Sequence, residues 1–394
     1  MYLAIAAKEN KEPKLKLFSE IPLSSDLQKR LAAAKFITPT PVQVGAIPPA
    51  LEGRDVLATA QTGTGKTLSF MVPIIERLQK QPSKQITALV LLPTRELAMQ
   101  VEKVYRQLMP EGRIRAALVV GGLAEGPQLD ALRRGVRLVV ATPGRLEDFL
   151  DRNLIKLDGV EVLVLDECDR MLDMGFKPSI KRIVSKLRAD RQTLCYSATL
   201  NPEMRDVTRA YLKDPVRIDI STELKPADNV ALQIFEVSKE KKSELLEHLL
   251  SSLEGSFLVF TRTKHGADRL ANRLSRVGHN AARIHGDRTQ AQRVSALKSF
   301  ADGANRVLVA TDVAARGIDV PHVAHVVNYD LPKEAEDFVH RVGRTGRASR
   351  SGTAHTFVMP DERNEVKRIE RKLAVTMKRF KVTAVATNLA AAQA

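Results

Sequence analysis

Cysteine is scarce in this chain, and its apolar residues never form a long run. The two cysteines, Cys168 and Cys195, have no second cysteine at the spacing of a C-x-x-C pair. We therefore expect neither a disulfide framework nor a zinc site, and both thiols should be reduced and buried. No stretch of about 18 consecutive apolar residues occurs, which argues against a membrane-spanning helix. The apolar part of residues 1–8 is too short for a signal peptide, so a cytoplasmic location is expected.

Acidic residues are too few to balance the basic ones. The chain has 46 Asp and Glu against 62 Lys and Arg, a formal net charge of +16. Such an excess favours a polyanionic partner through counterion release, although a merely basic globular protein has the same composition. The 394 residues, 44% hydrophobic and 27% charged, are typical of a globular protein with two or three domains.

Short apolar runs rich in β-branched residues alternate with stretches of helical character. Nearly continuous apolar strands suit a parallel sheet that is covered on both faces, and the alternation predicts a doubly wound α/β fold. The predicted strands include 55–58, 88–92, 138–141 and 162–165 in the first half, and 257–260, 281–284, 307–310 and 324–327 in the second.

The pattern therefore occurs twice, and a polar, proline-containing segment lies between the two halves. We predict a first domain at 1–220, a linker at 221–229 and a second domain at 230–382. Residues 383–394 are rich in alanine and nearly uncharged, and we expect a frayed tail there. Two α/β lobes joined by a short hinge would leave a cleft between them.

The segment Ala60-Gln61-Thr62-Gly63-Thr64-Gly65-Lys66-Thr67 has the pattern of a phosphate-binding loop, with Ala60 in place of the usual first glycine. Glycines let the backbone curl so that its N–H groups face phosphate oxygens at a helix N-terminus. Lys66 would reach the β- and γ-phosphates, and the Thr67 hydroxyl would bind Mg²⁺. The alternative is a chance Gly-Lys-Thr in an ordinary loop.

Two carboxylates, Asp166 and Glu167, directly follow the predicted strand 162–165. Acidic residues there are placed at the carboxyl edge of the sheet, where ligands of α/β folds bind. Asp166 would hold Mg²⁺, in part through water, and Glu167 would orient and deprotonate an attacking water. An ordinary acidic loop is the alternative.

These residues carry a resemblance to the DEAD-box RNA helicases, which extends over about residues 18–380. The four-residue signature reads Asp166-Glu167-Cys168-Asp169, with cysteine where the family name has alanine. Cysteine is small and apolar when buried, so we expect the change to be tolerated. The flanking residues 170–176 resemble a bacterial, RhlE-like subgroup. The resemblance implies two tandem RecA-like domains and a requirement for ATP and Mg²⁺.

Upstream, residues 36–43 resemble the Q motif of that family, which selects adenine. By the resemblance, the Gln43 amide would pair with the adenine edge, and Phe36 and Phe18 would supply an aromatic stacking surface. Phe18 alone could equally be a core residue. Lys35 replaces the glycine that usually precedes Phe36, which bears on the backbone shape at that point.

The second half resembles the family's later motifs. Residues 340–347 match motif VI, which implies that Arg344 and Arg347 reach the γ-phosphate. An arginine finger of this kind contributes about 10³ to 10⁵ in rate. Residues 310–319 match motif V, so Asp319 should bond the ribose hydroxyls, with Thr311 and Arg316 nearer the RNA. Ser197-Ala198-Thr199 resembles motif III, which should link the Mg²⁺ site to His340.

A further group of residues matches the motifs with which the family contacts RNA. Hydroxyls, backbone N–H groups and arginines suit phosphate oxygens and carry no base information. With 4% aromatic residues and no appended recognition domain, binding should be independent of sequence. The matching residues are Pro93, Thr94, Arg95, Gly121, Gly122, Thr142, Gly144, Arg145, Thr261, Arg262, Gln290, Arg293 and Thr311.

The resemblance thus implies an RNA-stimulated ATPase that clamps single-stranded RNA and locally unwinds short duplexes or remodels RNA–protein complexes. Two other functions stay open at this point, an ATP-gated RNA clamp that seldom turns over and a DNA translocase with the same lobes. Partners from ribosome assembly or RNA decay are compatible with the sequence, and a monomer is expected.

Overall fold

The computed structural model describes residues 16–60, 63–109, 114–220, 226, 229–315, 323–346 and 351–381. The chain divides into two compact units, Met1–Ser221 and Thr222–Ala394, which we call lobe 1 and lobe 2. Most of the predicted linker, and the predicted tail, lie outside the described residues. The domain boundaries given above stay predictions.

Lobe 1 contains one parallel sheet with helices packed on both faces. Its strands are β1 Val56–Thr59, β2 Ala88–Leu91, β3 Ala116–Val119, β4 Leu138–Ala141, β5 Val162–Leu165, β6 Gln192–Ser197 and β7 Val216–Asp219. Its helices are α1 Ser25–Ala33, α2 Pro41–Leu51, α3 Lys66–Lys80, α4 Arg95–Leu108, α5 Glu125–Arg133, α6 Pro143–Asp151, α7 Cys168–Asp173, α8 Lys177–Val184 and α9 Pro202–Tyr211. The strand order is β3-β4-β2-β5-β6-β1-β7.

Alternation along the strands explains why both faces of this sheet are covered. Val90 and Val164 face one apolar core, whereas their neighbours Leu89 and Leu163 face a second core on the other side. Successive side chains of a strand point to opposite faces, so a strand that is apolar at every position needs helices above and below it. All four of these side chains are buried.

Lobe 2 has the same plan. Its strands are β8 Val230–Glu236, β9 Ser256–Phe260, β10 Ala281–Ile284, β11 Val307–Ala310, β12 Val323–Asn328, β13 Gly352–Val358 and β14 Lys378–Lys381. Its helices are α10 Lys242–Ser252, α11 Lys264–Arg276, α12 Gln290–Ala301, α13 Asp312–Ala315, α14 Ala335–Val342 and α15 Arg363–Leu373. The order β10-β11-β9-β12-β13-β8-β14 is again entirely parallel.

The predicted α/β class with parallel sheets is therefore confirmed. Because all strands of a sheet run the same way, the residues that follow them meet at one edge, the carboxyl edge. In lobe 1 that edge carries the loops after β1 to β6, which include most of the predicted site residues of this lobe. Among the described helices, none is both long and apolar enough to cross a bilayer.

Candidate nucleotide and RNA site

The loop between β1 and α3 has the backbone of a phosphate cradle. Gly63 and Gly65 have φ values of 87° and 93°, a region that glycine enters without strain, and Gly65 caps the N-terminus of α3. A Cβ added to Gly63 would meet nothing within 4 Å, so the loop is open at this point. Thr64 is half-buried in the same loop, whereas Thr62 lies outside the described residues.

Lys66, the first residue of α3, is buried with 6% of its surface exposed. Its ammonium donates to the Ala60 carbonyl at 3.1 Å, which bridges the two ends of the loop. An ammonium has three hydrogens, so this bond leaves it further capacity to bind phosphate oxygens. The placement of Lys66 is thus compatible with the predicted contact to the β- and γ-phosphates.

Asp166 and Glu167 lie at the end of β5, and both are buried. The Glu167 N–H donates to Asp166 Oδ1 at 2.9 Å. Burial raises the pKa of the Asp166 carboxyl to about 6, although the Lys66 ammonium opposes the shift. A divalent cation at this edge would offset the cost of ionising the buried carboxyl group. The Asp166 carboxylate and the Thr67 hydroxyl supply the hard oxygen donors that Mg²⁺ prefers.

Gln43 lies directly against the phosphate loop. Its Oε1 accepts from the Thr40 N–H at 2.8 Å, and its Nε2 donates to the Gly65 carbonyl at 2.9 Å. Each of these amide atoms can make one more hydrogen bond, which leaves room for the predicted pairing with adenine. The amide therefore connects the start of α2 with the start of α3.

The two aromatic residues predicted to stack on adenine are placed differently. Phe18 is 4% exposed and packs in the core of lobe 1, so little of its ring surface is accessible. Phe36 is half-buried. Of the two, Phe36 has the more accessible ring, and the stacking role stays a prediction for both.

Lys35 adopts a left-handed backbone conformation, which glycine enters without strain. Its φ is 63°, and it follows α1 as the left-handed residue of a C-terminal cap, in which the Phe36 N–H donates to the Leu31 carbonyl at 2.9 Å. A left-handed conformation costs a non-glycine residue about 1–2 kcal/mol. We therefore expect glycine to be more favourable than lysine at this position.

Asp169 joins the loop after β5 to the Ser197-Ala198-Thr199 segment after β6. Its Oδ2 accepts from the backbone N–H groups of Ala198 and Thr199, both at 3.0 Å, and from the Thr199 hydroxyl at 3.1 Å. The Ser197 hydroxyl donates to the Thr199 carbonyl at 2.7 Å. The predicted connection of this segment to His340 would run between the lobes and stays a prediction.

The predicted RNA residues of lobe 1 cluster at the carboxyl edge. The Arg95 guanidinium lies so close to Gly122 that a Cβ there would collide with it, and it also approaches Gly121. Thr94 caps α4 by accepting from the Leu97 N–H at 3.3 Å. Pro93 precedes this cap and is buried.

Arg145 belongs to the next loop of that edge, after β4. Its guanidinium lies 5.5 Å from the centre of the Phe149 ring. Its Nη1 is buried and has no hydrogen-bond partner among the residues that the structure describes. Thr142 is 8% exposed and Gly144 is fully accessible beside it. A donor in need of an acceptor, next to an exposed glycine, suits a phosphate oxygen.

In lobe 2, the residues of motif VI are anchored to motif V by an arginine without a predicted role. Arg341 forms a bidentate pair with Asp312, at 2.6 Å and 2.7 Å, and donates to the Asp330 carbonyl at 2.6 Å. The half-buried His340 directly precedes Arg341 on α14, and Arg344, just after the end of that helix, donates to the His340 carbonyl at 3.3 Å. Arg316, Asp319 and Arg347 lie outside the described residues.

The remaining predicted RNA residues of lobe 2 follow β9, β10 and β11. Thr261 is buried, and the exposed Arg262 pairs with Glu362 at 3.3 Å. Gln290 and Arg293 share the first turn of α12 and are 4% and 9% exposed, whereas Thr311, after β11, is half-buried. The parallel strands therefore bring these residues to one edge, although those on α12 present little surface.

Comparison with known proteins identifies the family. Residues 40–207 match the family model described as DEAD/DEAH box helicase, and residues 240–349 match the helicase conserved C-terminal domain. The DEAD-box ATP-dependent RNA helicase CshA of Bacillus subtilis is 40% identical over 365 residues, which are 92% of this chain and 74% of that protein. The chain belongs to the DEAD-box ATP-dependent RNA helicases.

Other members of the family support the fold of both lobes. DEAD-box ATP-dependent RNA helicase 30 of Arabidopsis thaliana is 43% identical over 88% of this chain, and the match spans 60% of that longer protein. The structure of S. cerevisiae Dbp5 bound to RNA and ADP BeF3 superimposes with a TM-score of 0.86 at 30% identity, over 96% of this chain and 99% of that one. The predicted tandem RecA-like fold is therefore confirmed for this DEAD-box chain.

Three residues of the site carry contacts that the sequence reading did not assign. They are Asp169, which holds the segment after β6, Arg341, which pairs with Asp312, and Arg170, which lies 3.4 Å from the Glu167 carboxylate. All three are charged residues inside motifs, and all are at most 4% exposed. A charged residue at a position where the helical pattern predicts burial indicates a buried partner, and this pattern could have identified them.

Proposed function

We propose that this DEAD-box protein is an RNA-stimulated ATPase that binds single-stranded RNA and locally separates short duplexes or remodels RNA–protein complexes. One observation carries the proposal. The Lys66 ammonium and the Asp166 carboxyl group lie buried at the same sheet edge, close enough for the ammonium to oppose the rise in the pKa of the carboxyl group. A buried cation and a buried carboxylate beside an open glycine loop are what a triphosphate with its metal ion requires.

The nucleotide would be held from its two ends. Gln43 would read the adenine edge, with Phe36 and Phe18 as the aromatic surface, and Asp319 would bond the ribose. Thr62, Gly63, Thr64, Gly65 and Lys66 would surround the phosphates with donors. Thr67 and Asp166 would hold Mg²⁺, which supplies charge neutralisation at the phosphate oxygens.

Hydrolysis would depend on groups from both lobes. Glu167 would orient the attacking water and accept its proton, while Arg344 and Arg347 would stabilise the charge that spreads over the γ-phosphate. His340 would connect this response to the Ser197-Ala198-Thr199 segment. We propose that ATP and RNA each favour closed lobes, so that each raises the affinity of the other by the same factor.

RNA would lie along the carboxyl edges of the two sheets. The loop residues are proposed to bind its phosphates and 2′-hydroxyls, which makes binding independent of sequence and selective for RNA. The proposed contact residues are Pro93, Thr94, Arg95, Gly121, Gly122, Thr142, Gly144, Arg145, Thr261, Arg262, Gln290, Arg293 and Thr311.

Finer assignments rest on the sequence. We propose a bacterial, RhlE-like subgroup on the strength of residues 170–176, and a cytoplasmic monomer whose partners act in ribosome assembly or RNA decay. The domain limits 1–220 and 230–382 with a linker at 221–229 belong to this proposal.

Phosphate release with and without RNA tests the function. The unaltered protein should hydrolyse ATP faster with RNA than with DNA of the same sequence, and Lys66→Ala should abolish turnover. Lys80→Ala is the matched control, because Lys80 ends the same helix with a 69% exposed side chain. Glu167→Gln should bind ATP and RNA yet hydrolyse poorly. A rate that is the same with RNA, with DNA and with neither would refute the proposal.

A further inference from the structure

Arg170 brings a charge into the interior of lobe 1 with few hydrogen bonds to offset its burial. It is 3% exposed, and its Nη1 lies 3.4 Å from Glu167 Oε2. Neither Nη1 nor Nη2 has a hydrogen-bond partner within the described parts of the chain. Burying a guanidinium costs several kcal/mol unless a counter-charge compensates. Glu167 supplies that counter-charge, so the two side chains form a buried ion pair.

Glu167 itself is held in an unusual backbone conformation. Its φ of 49° and ψ of 48° lie in the left-handed region, which a glutamate rarely occupies. This conformation turns the chain from β5 into α7 within one residue, and it fixes the Glu167 backbone at the carboxyl edge. The side chain still has three rotatable bonds, so the backbone alone does not determine where the carboxylate lies.

The backbone of Arg170 is anchored independently of Glu167. Its N–H donates to Asp169 Oδ1 at 3.0 Å, and the other oxygen of Asp169 is tied to Ala198 and Thr199. Glu167 and Arg170 are three residues apart on the first turn of α7, a spacing that places their side chains on one face. The guanidinium therefore extends from an anchored backbone and lies directly beside the Glu167 carboxylate.

We propose that Arg170 is a positioning residue that fixes the Glu167 carboxylate for its work on the attacking water. The inference rests on the proposed function, because it requires Glu167 to be the general base. A displacement of about 1 Å at a reacting group can lower a rate by roughly 10²-fold. Loss of Arg170 should therefore lower kcat and leave the binding of ATP and RNA unchanged.

Two substitutions test the role of Arg170. Arg170→Met keeps most of the side-chain volume and removes the charge, and it should lower the RNA-stimulated kcat by about 10- to 100-fold with an unchanged KM for ATP. Arg170→Lys keeps a cation and should recover a large part of the loss. Rates are expressed per bound fluorescent nucleotide, so that unfolded protein does not contribute. If the kcat of Arg170→Lys is no higher than that of Arg170→Met, the proposal is contradicted.

A half-buried arginine of the same lobe provides the control. Arg137 precedes β4 at the opposite edge of the same sheet, where it donates to the Leu78 carbonyl. Arg137→Met should lower the melting temperature and leave kcat and KM as they are. If it lowers kcat as much as Arg170→Met does, general destabilisation explains both losses and the inference is wrong.

A double-mutant cycle with Glu167→Gln separates positioning from stability. Without the carboxylate there is nothing for Arg170 to position, so Arg170→Met should have no further effect on kcat in that background. Independent, multiplicative losses would overturn the inference. A different result would contradict the proposed function itself: the single variant Glu167→Gln would hydrolyse ATP at the normal rate. If only the inference about Arg170 is wrong, Glu167→Gln hydrolyses ATP poorly whereas Arg170→Met has the kcat of the unaltered protein.

Discussion

Replacing Asp169 by alanine should weaken lobe 1 at the point where the loops after β5 and β6 are joined. The carboxylate is 4% exposed and accepts three hydrogen bonds through Oδ2, from Ala198 and Thr199, and one through Oδ1, from Arg170. Each buried donor that loses its acceptor costs about 1–3 kcal/mol. Four fully buried donors would sum to about 4–12 kcal/mol. Because water can reach the half-buried Ala198 and Thr199, we expect a smaller total, about 3 kcal/mol.

Thermal unfolding measures this loss. For a domain of this size 1 kcal/mol shifts the melting temperature by roughly 2–4 °C, so Asp169→Ala should lower it by about 6–12 °C. ATP hydrolysis should fall as well, because the Ser197-Ala198-Thr199 segment loses its attachment. Asp151→Ala, at the exposed end of α6, is the control and should stay within about 0.5 kcal/mol of the unaltered protein. A loss below about 1 kcal/mol for Asp169→Ala would show that these hydrogen bonds are not stabilising.

Three further changes have distinct expected outcomes. Gly65→Ala should raise the KM for ATP about tenfold or more, because the φ of 93° is strained for alanine and its Cβ would lie 2.5 Å from Gln43 Nε2; an unchanged KM would contradict this. Cys168→Ala should leave kcat within about twofold and lower the melting temperature by a few degrees, since it removes one buried sulfur atom; a large loss of rate would refute this. Burial lowers the pKa of His355, which is hydrogen-bonded to His325, to about 3, whereas an unfolded histidine titrates near 6.5. The unfolded chain therefore binds the extra proton as the pH falls below about 6.5, and stability should decrease by about 2 kcal/mol between pH 6.5 and 5. Denaturant unfolding should show a smaller pH slope for His355→Gln, and an equal slope would contradict the assignment.

The strands predicted from the sequence are mostly apolar. The central strand β6, Gln192–Ser197, was not among them, because four of its six side chains carry polar groups. It is nevertheless buried throughout, since β5 and β1 flank it and helices cover both faces. Burial at such a position depends on strand order, which a local pattern does not contain. β13 is a similar case, with His355 and Thr356 buried in its middle.

The phosphate loop and the two carboxylates after β5 could be located from the sequence, because each lies within a few consecutive residues. The contacts of Asp169 with Thr199 and of Arg341 with Asp312 join positions about 30 residues apart. Such pairs form only once the sheet places the loops side by side, and no local spacing predicts them. The left-handed conformation of Lys35 could not be predicted from the residue type, because lysine has no preference for that conformation.

Each strand of lobe 2 occupies the place in its sheet of the strand seven earlier in lobe 1. The two lobes therefore share one sheet topology. Lobe 1 has its glycine loop after β1, whereas in lobe 2 the residues after β8 are Val237-Ser238-Lys239, without a glycine to receive a phosphate. Because the glycine loop belongs to lobe 1, we expect substitutions in that loop to change ATP binding without changing the fold of lobe 2.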